Sequence, residues 1–443
     1  MAATKSIDTR RTLRKLFSSR RLNALAMETG AVVRRRKVDP VALFWTVVLG
    51  FGAGRTRSIA GLRRSYERAT GQCLEESSFY KRFNDGFVKM LERALVHALD
   101  NDAGVGRKLR GHLSRFVDVL ITDATVLRLH EVLARRWPGC RTNHSPAAIK
   151  AHWVMSVTGR SRQSVKLTGG RRHDGPVFQV GPWVKGSLLL FDLAYYDFSL
   201  FERIGRNGGY FISRLKTSAN PRIVAVNRNH RGRSIAVEGE RLQDVLARLK
   251  REVLDVNIEV RCRHRTYGGR RRSVIKIFRL VGVRDPQTAT HHLYVTNLMP
   301  DELEAEHVAR SYALRWEIEL LFRELKSHYR LDDLPSRKPD VVKALIYAAA
   351  LTLLVSRCLL NTLRKALGQH AQRLKSHRWA TILSTLASDL LMLLLRPPRE
   401  TRTLQRHLNR LLLHEAPDPN IKRLSLLQAV EAGVHRYRLA PAT

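Results

Sequence analysis

The sequence predicts a mixed α/β protein with helical regions at both ends of the chain. Helical patterning covers residues 13–99 and returns after residue 340, whereas short apolar strands that end in aspartate lie between residues 116 and 192. A further stretch, residues 217–300, is rich in strand signals. With 443 residues, 44% of them hydrophobic, the chain is long enough for about two to four domains with real cores.

The N-terminal region, residues 1–112, is predicted to be helical. An apolar run at residues 41–49 precedes two short amphipathic segments, 58–66 and 75–87. Both segments carry arginine or lysine, which is typical of a helix-turn-helix DNA-binding module. A plain helical packing domain with a solvated basic face explains the same pattern equally well.

Two predicted strands in the next region, residues 113–216, end in an acid. Residues 116–123 form an apolar strand that ends at Asp123, and a second short strand runs directly into Asp192. An aspartate after a strand is usually a turn or cap residue. Each acid is therefore supported as a catalytic candidate only by the order of the two acids and by the helix pattern downstream. Four other aspartates compete for the same role: Asp118, Asp174, Asp332 and Asp333.

Further strand signals lie between the two acids and after the second. Residues 151–157 and 163–168 form a hairpin candidate, and Asp197 is better explained as the cap of a following helix than as a catalytic acid. Residues 217–300 are interpreted as an inserted β-rich subdomain. Its strand candidates are residues 256–262, 273–283 and 291–295.

The segment 301–350 carries the most informative pattern in the chain. Spacings of three, four and seven residues place four polar side chains within roughly 60° of arc on one helix face. They are Tyr312, Arg315, Glu319 and Lys326, with Leu314, Ile318, Leu321 and Leu325 on the opposite face. Taken alone, the charged residues also fit i,i+4 pairs that solubilise an exposed helix. The last region, residues 351–443, is helical and leucine-rich.

The charge of the chain indicates a polyanionic partner. Lysine and arginine number 79 against 39 acidic residues, so the formal net charge is +40. An arginine-rich surface favours phosphate, which guanidinium groups bind through two parallel hydrogen bonds. Membrane is the weakest candidate, because the apolar runs at 41–54 and 344–355 are shorter than the ~20 residues that span a bilayer. We expect a soluble, cytoplasmic protein.

Cysteine and histidine patterns do not indicate a metal site or a disulfide framework. The four cysteines are far apart and include no C-x-x-C pair, and the 17 histidines show no metal-binding spacing. The acids are better candidates. Asp123, Asp192 and Glu319 are the constellation expected of a ribonuclease-H-like nucleotidyltransferase, since hard oxygen ligands suit Mg²⁺ or Mn²⁺. Two such ions ~3.5–4 Å apart activate an attacking hydroxyl and stabilise the leaving oxygen.

The region 116–349 resembles the DDE transposases of bacterial insertion sequences, in the family marked by a Y-R-E-K helix. Ile121-Thr-Asp123-Ala-Thr resembles its first aspartate motif, and Leu190-Phe-Asp192-Leu-Ala resembles the second, although a basic residue and a glycine often follow that aspartate. The N-terminal third is also similar to members of this family. The resemblance implies an RNase-H-like core, residues 113–216 and 301–350, interrupted by the β insertion.

The resemblance also implies an activity and a set of residue roles. The expected reaction is cut-and-paste transposition through a hairpin, with double-stranded DNA as substrate, two Mg²⁺ ions (Mn²⁺ as substitute) and a homodimer in the DNA complex. Asp123, Asp192 and Glu319 would be the catalytic metal ligands. Residues expected to contact DNA are Tyr312, Arg315, Trp316, Arg323 and Lys326.

Two questions stay open at this point. A flipped base could stack on an aromatic residue of the insertion, for which Tyr267, His291 and Tyr294 are equal candidates. The alternative to an active transposase is a catalytically silent DNA-binding regulator derived from one, and a nuclease that cuts without joining is a weaker possibility. The intact acids favour the active enzyme.

Overall fold

The computed structural model describes residues 7–33, 38–51, 58–102, 107–140, 145–228, 234–263, 273–332, 334–368, 371, 374, 376–418 and 425–434. Its N-terminal part is helical, as predicted. The helices are α1 (Thr9–Leu16), α2 (Ser19–Glu28), α3 (Pro40–Trp45), which continues as a π-helical turn (Thr46–Phe51), α4 (Ile59–Thr70), α5 (Glu76–Tyr80) and α6 (Asp85–Asp102). The N-terminus of α4 is capped by Ser58, whose side chain accepts a hydrogen bond from the Gly61 amide.

A nine-stranded sheet forms the centre of the protein. Its strands are β1 (Val119–Arg128), β2 (Ala148–Ser156), β3 (Ser164–Gly169), β4 (Leu188–Phe191), β5 (Tyr210–Arg214), β6 (Arg222–Val226), β7 (Val253–Arg263), β8 (Ser273–Arg284) and β9 (His291–Thr296). They are arranged in the order β3-β2-β1-β4-β5-β9-β8-β7-β6. The pairs β1–β4 and β4–β5 are parallel, and the other pairs are antiparallel. The fold is therefore mixed α/β.

The strands predicted for residues 217–300 extend the same sheet. Strand β9 pairs with β5 on one side and with β8 on the other, so β8, β7 and β6 continue the sheet outward. The hairpin prediction is confirmed, since β2 and β3 pair antiparallel with Ala151 opposite Leu167. Asp197 caps helix α7 (Phe198–Arg206), as predicted, by accepting from the Ser199 amide. The short helix α8 (Leu242–Arg248) lies between β6 and β7.

Hydrophobic cores lie on both faces of the sheet. Along β1, Val119 and Ile121 belong to one core, whereas Leu120 belongs to the other. The first core also contains the helices after the sheet: α9 (Ala305–Tyr312), a 3₁₀ turn (Ala313–Arg315), α10 (Trp316–Ser327), α11 (Pro339–Leu367), α12 (Ser376–Leu395), α13 (Pro398–Glu415) and α14 (Leu426–Glu431). Strand alternation thus decides which side chains of β1 face these helices.

Helix α11 is the central helix of the first core. It packs against α6, and the Tyr347 hydroxyl donates to Glu92 Oε1 at 2.9 Å. Two helices, α11 and part of α12 (Arg378–Leu395), are long and apolar enough to cross a membrane by length and composition. The apolar run at 344–355, which by itself is too short to span a bilayer, is only part of the longer helix α11. In α11, 83% of the most apolar window is buried inside the protein, as in the core helix of a globular fold.

A buried ion pair ties the outer strands to the segment that leads into α9. Arg279 of β8 binds Asp255 of β7 through Nε and Nη2 at 2.8 and 2.6 Å. Its Nη1 donates to the carbonyl oxygens of Leu298, Met299 and Leu303, the last at 2.6 Å. The side chains of Arg279 and Asp255 are only 1% and 4% exposed. This guanidinium therefore fixes where the helical segment begins relative to the sheet.

Replacing Arg279 by methionine is expected to lower the free energy of unfolding by about 3–5 kcal/mol, because Asp255 would remain as a buried charge without its partner. Urea unfolding followed by circular dichroism measures the change. Arg261→Met, on an exposed position of β7, is the matched control and should change stability by less than about 0.5 kcal/mol. Equal stability of the Arg279→Met variant and the parent would contradict the anchoring role.

Candidate active site

The two predicted catalytic aspartates lie side by side at the end of β4. Strands β1 and β4 are parallel, and the last pair in their register is Thr122 with Phe191. Asp123 and Asp192 are the residues that directly follow this pair. Both acids are in phase with strand residues of the first core, Ile121 and Leu190. Strand alternation therefore directs both carboxylates to the face that α10 covers.

One detail of the predicted first strand is wrong. Strand β1 starts at Val119 and continues to Arg128, so Asp123 lies within the strand and not at its end. The reason is that β2 goes on pairing with β1 up to Arg128, opposite Ala148, after the parallel pairing with β4 has stopped. Asp123 is thus held by a continuous antiparallel ladder on one side and open to Asp192 on the other.

The environment of Asp123 opposes its ionisation. Burial raises the pKa of this carboxyl to about 6, and the negative charges of Asp192 and Asp174 act in the same direction. A hydrogen bond from the Ala124 amide at 2.7 Å and the charge of Arg315 partly offset this rise in pKa. Two adjacent carboxyls of this kind favour a cation between them.

Asp192 begins a 3₁₀ turn, Leu193–Tyr195, but its side chain makes no capping hydrogen bond. The turn is closed instead by backbone bonds from Tyr195 to Asp192 and from Tyr196 to Leu193. The carboxylate of Asp192 is therefore not used to hold the turn. It is within electrostatic range of Asp123, Arg315 and Tyr312.

The segment predicted as one helix is divided by a turn. Tyr312 ends α9, Arg315 lies in the 3₁₀ turn and Glu319 lies in the first turn of α10. Tyr312 is buried, and its hydroxyl donates to the carbonyl oxygen of Phe191 at 3.1 Å. This bond joins the helical segment to the residue immediately before Asp192. The predicted apolar face is buried as expected, with Leu314, Ile318, Leu321 and Leu325 in the first core.

Arg315 is the charge at the centre of the site. Its Nη2 donates to Glu319 Oε1 at 2.5 Å, and both side chains are partly buried. Burial acts to lower the pKa of Arg315, but its interactions with Tyr312, Asp192 and Glu319 outweigh this effect, so that the pKa is raised. Arg315 thus links Glu319 electrostatically to Asp192 and Asp123.

This arrangement affects how the acids could bind a cation. In the described part of the chain, no three acidic, histidine or cysteine side chains lie close enough together to hold a metal ion. Asp123 and Asp192 are neighbours, whereas one oxygen of Glu319 is occupied by Arg315. The donor set of hard oxygens fits a divalent ion, and the described bond from Arg315 uses one of the two carboxylate oxygens of Glu319, so the carboxylate can accept from Arg315 and bind a cation at the same time.

The other predicted DNA-contacting residues lie on α10. Trp316 is the first residue of the helix and is 38% exposed. Arg323 is exposed and Lys326 is partly exposed. Large cationic and aromatic side chains are therefore accessible on the helix that carries Glu319, and they are suited to phosphate and base contacts.

The three aromatic candidates for base stacking differ in their surroundings. Tyr267 lies outside the described residues. Tyr294 is only 1% exposed, and its ring packs against Tyr312 with centroids 5.1 Å apart. His291 is partly buried, and its Nε2 lies 2.8 Å from the carbonyl oxygen of Arg251. The contacts of Tyr294 favour a packing role for that residue.

The competing aspartates have other environments. Asp118 is fully buried, and its carboxylate accepts bonds from the Ser156 hydroxyl and from the amides of Thr158, Arg160 and Ser161. It therefore closes the turn of the β2–β3 hairpin. Asp174 forms an ion pair with Lys150 at 3.0 Å. Asp332 is exposed, and Asp333 lies outside the described residues.

Sequence reasoning missed the residues that anchor α10. Glu324, 6% exposed, binds Arg357 of α11 at 2.6 Å, and the Tyr329 hydroxyl donates to Glu324 and to Ser356. The positive charge of Arg357 also acts on Glu317, two turns earlier on α10. The only signal in the sequence was the seven-residue spacing of the two glutamates, which has no meaning until their partner is known.

Comparison with known proteins agrees with this geometry. The family model described as a transposase DDE domain matches residues 115–355. The chain is 20% identical over 379 residues to the transposase for insertion sequence element IS1151 of Clostridium perfringens, with 80% of each protein covered. It is 21% identical over 443 aligned residues to that of IS231F of Bacillus thuringiensis subsp. israelensis, covering 90% of this chain and 89% of the relative.

A shorter and stronger similarity adds to these. Over 70 residues the chain is 46% identical to the transposase for insertion sequence element IS421 of Escherichia coli, which is 16% of this chain and 19% of the relative. The matched family region contains both aspartates and the glutamate helix. Since that region spans more than half of the chain, the protein belongs to the DDE transposases, and it is an insertion-sequence transposase.

Proposed function

We propose that this transposase cuts the ends of its insertion sequence and joins them to target DNA, with Asp123, Asp192 and Glu319 as its catalytic acids. The observation that carries the proposal is the parallel register of β1 and β4, which makes the two aspartates neighbours beneath α10. An antiparallel meander, β3-β2-β1, continued by the parallel strands β4 and β5, supports an RNase-H-like core. A cut-and-paste route through a hairpin is the pathway that the resemblance implies.

Family membership implies dependence on a divalent metal, and Mg²⁺, with Mn²⁺ as a substitute, is the ion we propose. Asp123 and Asp192 would hold it, since their carboxyls are adjacent and neither is used in a side-chain ion pair that the structure describes. Glu319 would complete the set of ligands. Two bound ions would supply activation of the attacking oxygen and stabilisation of the leaving oxygen. The three carboxylates would supply the negative charge that attracts the ions, and the fold would supply their positions.

The described contacts suggest different roles for the residues of the Y-R-E-K helix. Arg315 balances the charge of Glu319 and faces Asp192, so it is placed to hold either the carboxylate or a DNA phosphate. Tyr312 is buried and bound to the Phe191 carbonyl, which favours positioning over the phosphate contact that the resemblance implies. Trp316, Arg323 and Lys326 remain the proposed DNA contacts.

The wider assignments are also proposals. The net charge of +40 suits double-stranded DNA, both the terminal repeats and the target. Residues 1–112 would bind DNA, residues 217–300 would form the insertion, and residues 351–443 would contribute to a homodimer. We propose that the protein acts in the bacterial cytoplasm, where it associates with the nucleoid when it is bound to DNA.

The function is tested with DNA that flanks the gene of this protein, where the ends of the element should lie. Purified protein, that DNA, Mg²⁺ and a target plasmid should give cleaved ends and then products in which an end is joined to the plasmid. Cleavage without joining would indicate a nuclease. Binding with neither reaction would indicate a silent regulator, and either result would overturn the proposal.

Lys326→Ala is expected to weaken DNA binding and to lower the slope of log K against log salt concentration by about one, because a single phosphate contact is lost. Fluorescence anisotropy at several salt concentrations measures this slope. The matched control is Lys185→Ala, since Lys185 is exposed and precedes β4, at the strand end opposite to Asp192. An unchanged slope for Lys326→Ala would remove this residue from the DNA contacts.

A further inference from the structure

The last segment that the structure describes, residues 425–434, packs against the segment that carries Arg315. Residues 425–434, which we call the C-terminal clasp, begin with Ser425, which forms a capping box with Gln428 at the start of α14. Helix α14 packs against the 3₁₀ turn Ala313–Arg315 and against a second 3₁₀ turn, Gly111–Leu113. The clasp therefore contacts both the approach to β1 and the turn between α9 and α10.

Apolar contacts account for part of this packing. Val430 is fully buried and Leu427 is 9% exposed, and both belong to the core that contains Leu113 and Leu314. Leu314 is the middle residue of the turn that ends in Arg315. Helix α14 thus contributes apolar contacts on one side of the turn.

Glu431 is the polar anchor of the clasp. Its two carboxylate oxygens accept bonds from Nη1 and Nη2 of Arg107, both at 2.8 Å. Oε1 also accepts from the Arg110 amide at 2.9 Å, and the Glu431 side chain is only 7% exposed. A bidentate guanidinium pair of this kind fixes orientation as well as distance.

Close backbone packing adds a steric requirement. Gly111 has a φ of +58°, and a Cβ at this position would lie 2.3 Å from the carbonyl oxygen of Glu431. Only glycine fits there without displacement of the clasp. Beside it, the His112 and His307 rings stack with centroids 4.2 Å apart and planes 1° apart, which connects this loop to α9. The clasp, the loop and α9 thus form one packed unit.

The geometry points to a positioning role for the C-terminal clasp: through Glu431 and α14 it holds the 3₁₀ turn so that Arg315 stays directed at Glu319 and Asp192. This inference rests on the proposed function of the three acids. The physical reason is that a 3₁₀ turn has poorer hydrogen-bond geometry than an α-helix and needs support from its neighbours. Glu431 itself contacts no reacting atom and acts through the turn.

Glu431→Gln tests the inference, because it keeps the size of the side chain and removes the charge that Arg107 binds. At saturating DNA and Mg²⁺, the single-turnover cleavage rate is expected to fall on the order of tenfold. The dissociation constant for DNA should change by less than about twofold, since the clasp makes no proposed DNA contact. Glu252→Gln, at an exposed glutamate directly before β7, is the matched control and should keep the parent rate.

A second variant separates positioning from simple loss of stability. In the double variant Arg107→Glu, Glu431→Arg, the ion pair is reversed, and at least part of the lost rate should return. A parent-like rate in Glu431→Gln would overturn the inference. So would a rate that falls only in proportion to the fraction of unfolded protein, as measured by circular dichroism at the same temperature.

Hydrogen exchange provides a test that does not depend on transposition. In Glu431→Gln without DNA, the amides of residues 313–319 should exchange faster than in the parent, whereas the β1–β2 ladder should be unchanged. Unchanged exchange at residues 313–319 would overturn the inference. If the parent protein itself failed to cleave its element ends, the proposed function would fail, and exchange would still decide whether the clasp holds the turn.

Discussion

Asp192→Asn is expected to abolish Mg²⁺-dependent strand cleavage, with a rate loss on the order of 10³-fold or more, while DNA binding stays largely intact. Asparagine keeps the shape of the side chain but removes the negative charge that would hold a divalent ion next to Asp123. Loss of a metal ligand costs several kcal/mol of transition-state stabilisation, and each 1.36 kcal/mol is tenfold in rate. Asp123→Asn should behave in the same way.

The measurement is single-turnover cleavage of end-labelled element DNA, with binding followed separately by anisotropy. Asp197→Asn is the matched control. Asp197 caps α7 by accepting from the Ser199 amide, and asparagine is as good a cap as aspartate, so this variant should keep the parent rate. Normal cleavage by Asp192→Asn would show that the site has been assigned to the wrong acid.

Glu319→Gln is the second change expected to have a large effect. It removes the third acid and also weakens the pairing with Arg315, whose Nη2 lies 2.5 Å from Glu319 Oε1. We expect cleavage to fall on the order of 10³-fold, as for loss of a metal ligand, because the third carboxylate is lost. Stability should change little, since the glutamine oxygen can still accept a hydrogen bond from Arg315.

Glu317→Gln is the comparison that separates chemistry from packing. Glu317 lies two residues earlier on α10, about 200° around the helix from Glu319, and the charge of Arg357 of α11 acts on it. This variant should keep its cleavage rate and lose at most modest stability, seen as a lower melting temperature. Equal loss of cleavage in both variants would mean that α10 acts only as a structural support and that Glu319 has no separate role.

Much of the fold was predictable because its signals are local. Strands β4, β8 and β9 lie where apolar or alternating runs predicted them, and α7 starts at the predicted cap. Apolar spacing also predicted the buried face of α10, whose residues lie in the core. The short elements β6 and α8 were missed, since five or seven residues carry little periodic signal.

The site was less predictable than the elements that form it. A local pattern could not separate Asp118 from Asp123, since both follow apolar residues in the same strand region. The structure separates them through their partners: Asp118 is surrounded by amides of the β2–β3 turn, whereas Asp123 faces Asp192. Those partners come from segments tens of residues away.

By itself the sequence determined the types of residue and their periodicities. These are the aspartates that follow apolar strand residues, the apolar face of α10 and the positive net charge, which indicates a polyanion such as DNA. Only the tertiary structure decided that Asp123 and Asp192 are neighbours, that Arg315 binds Glu319, and that α14 packs against the turn carrying Arg315. The physical reason is that periodicity reports the burial of one element, whereas strand register and ion pairing depend on which distant elements pack together.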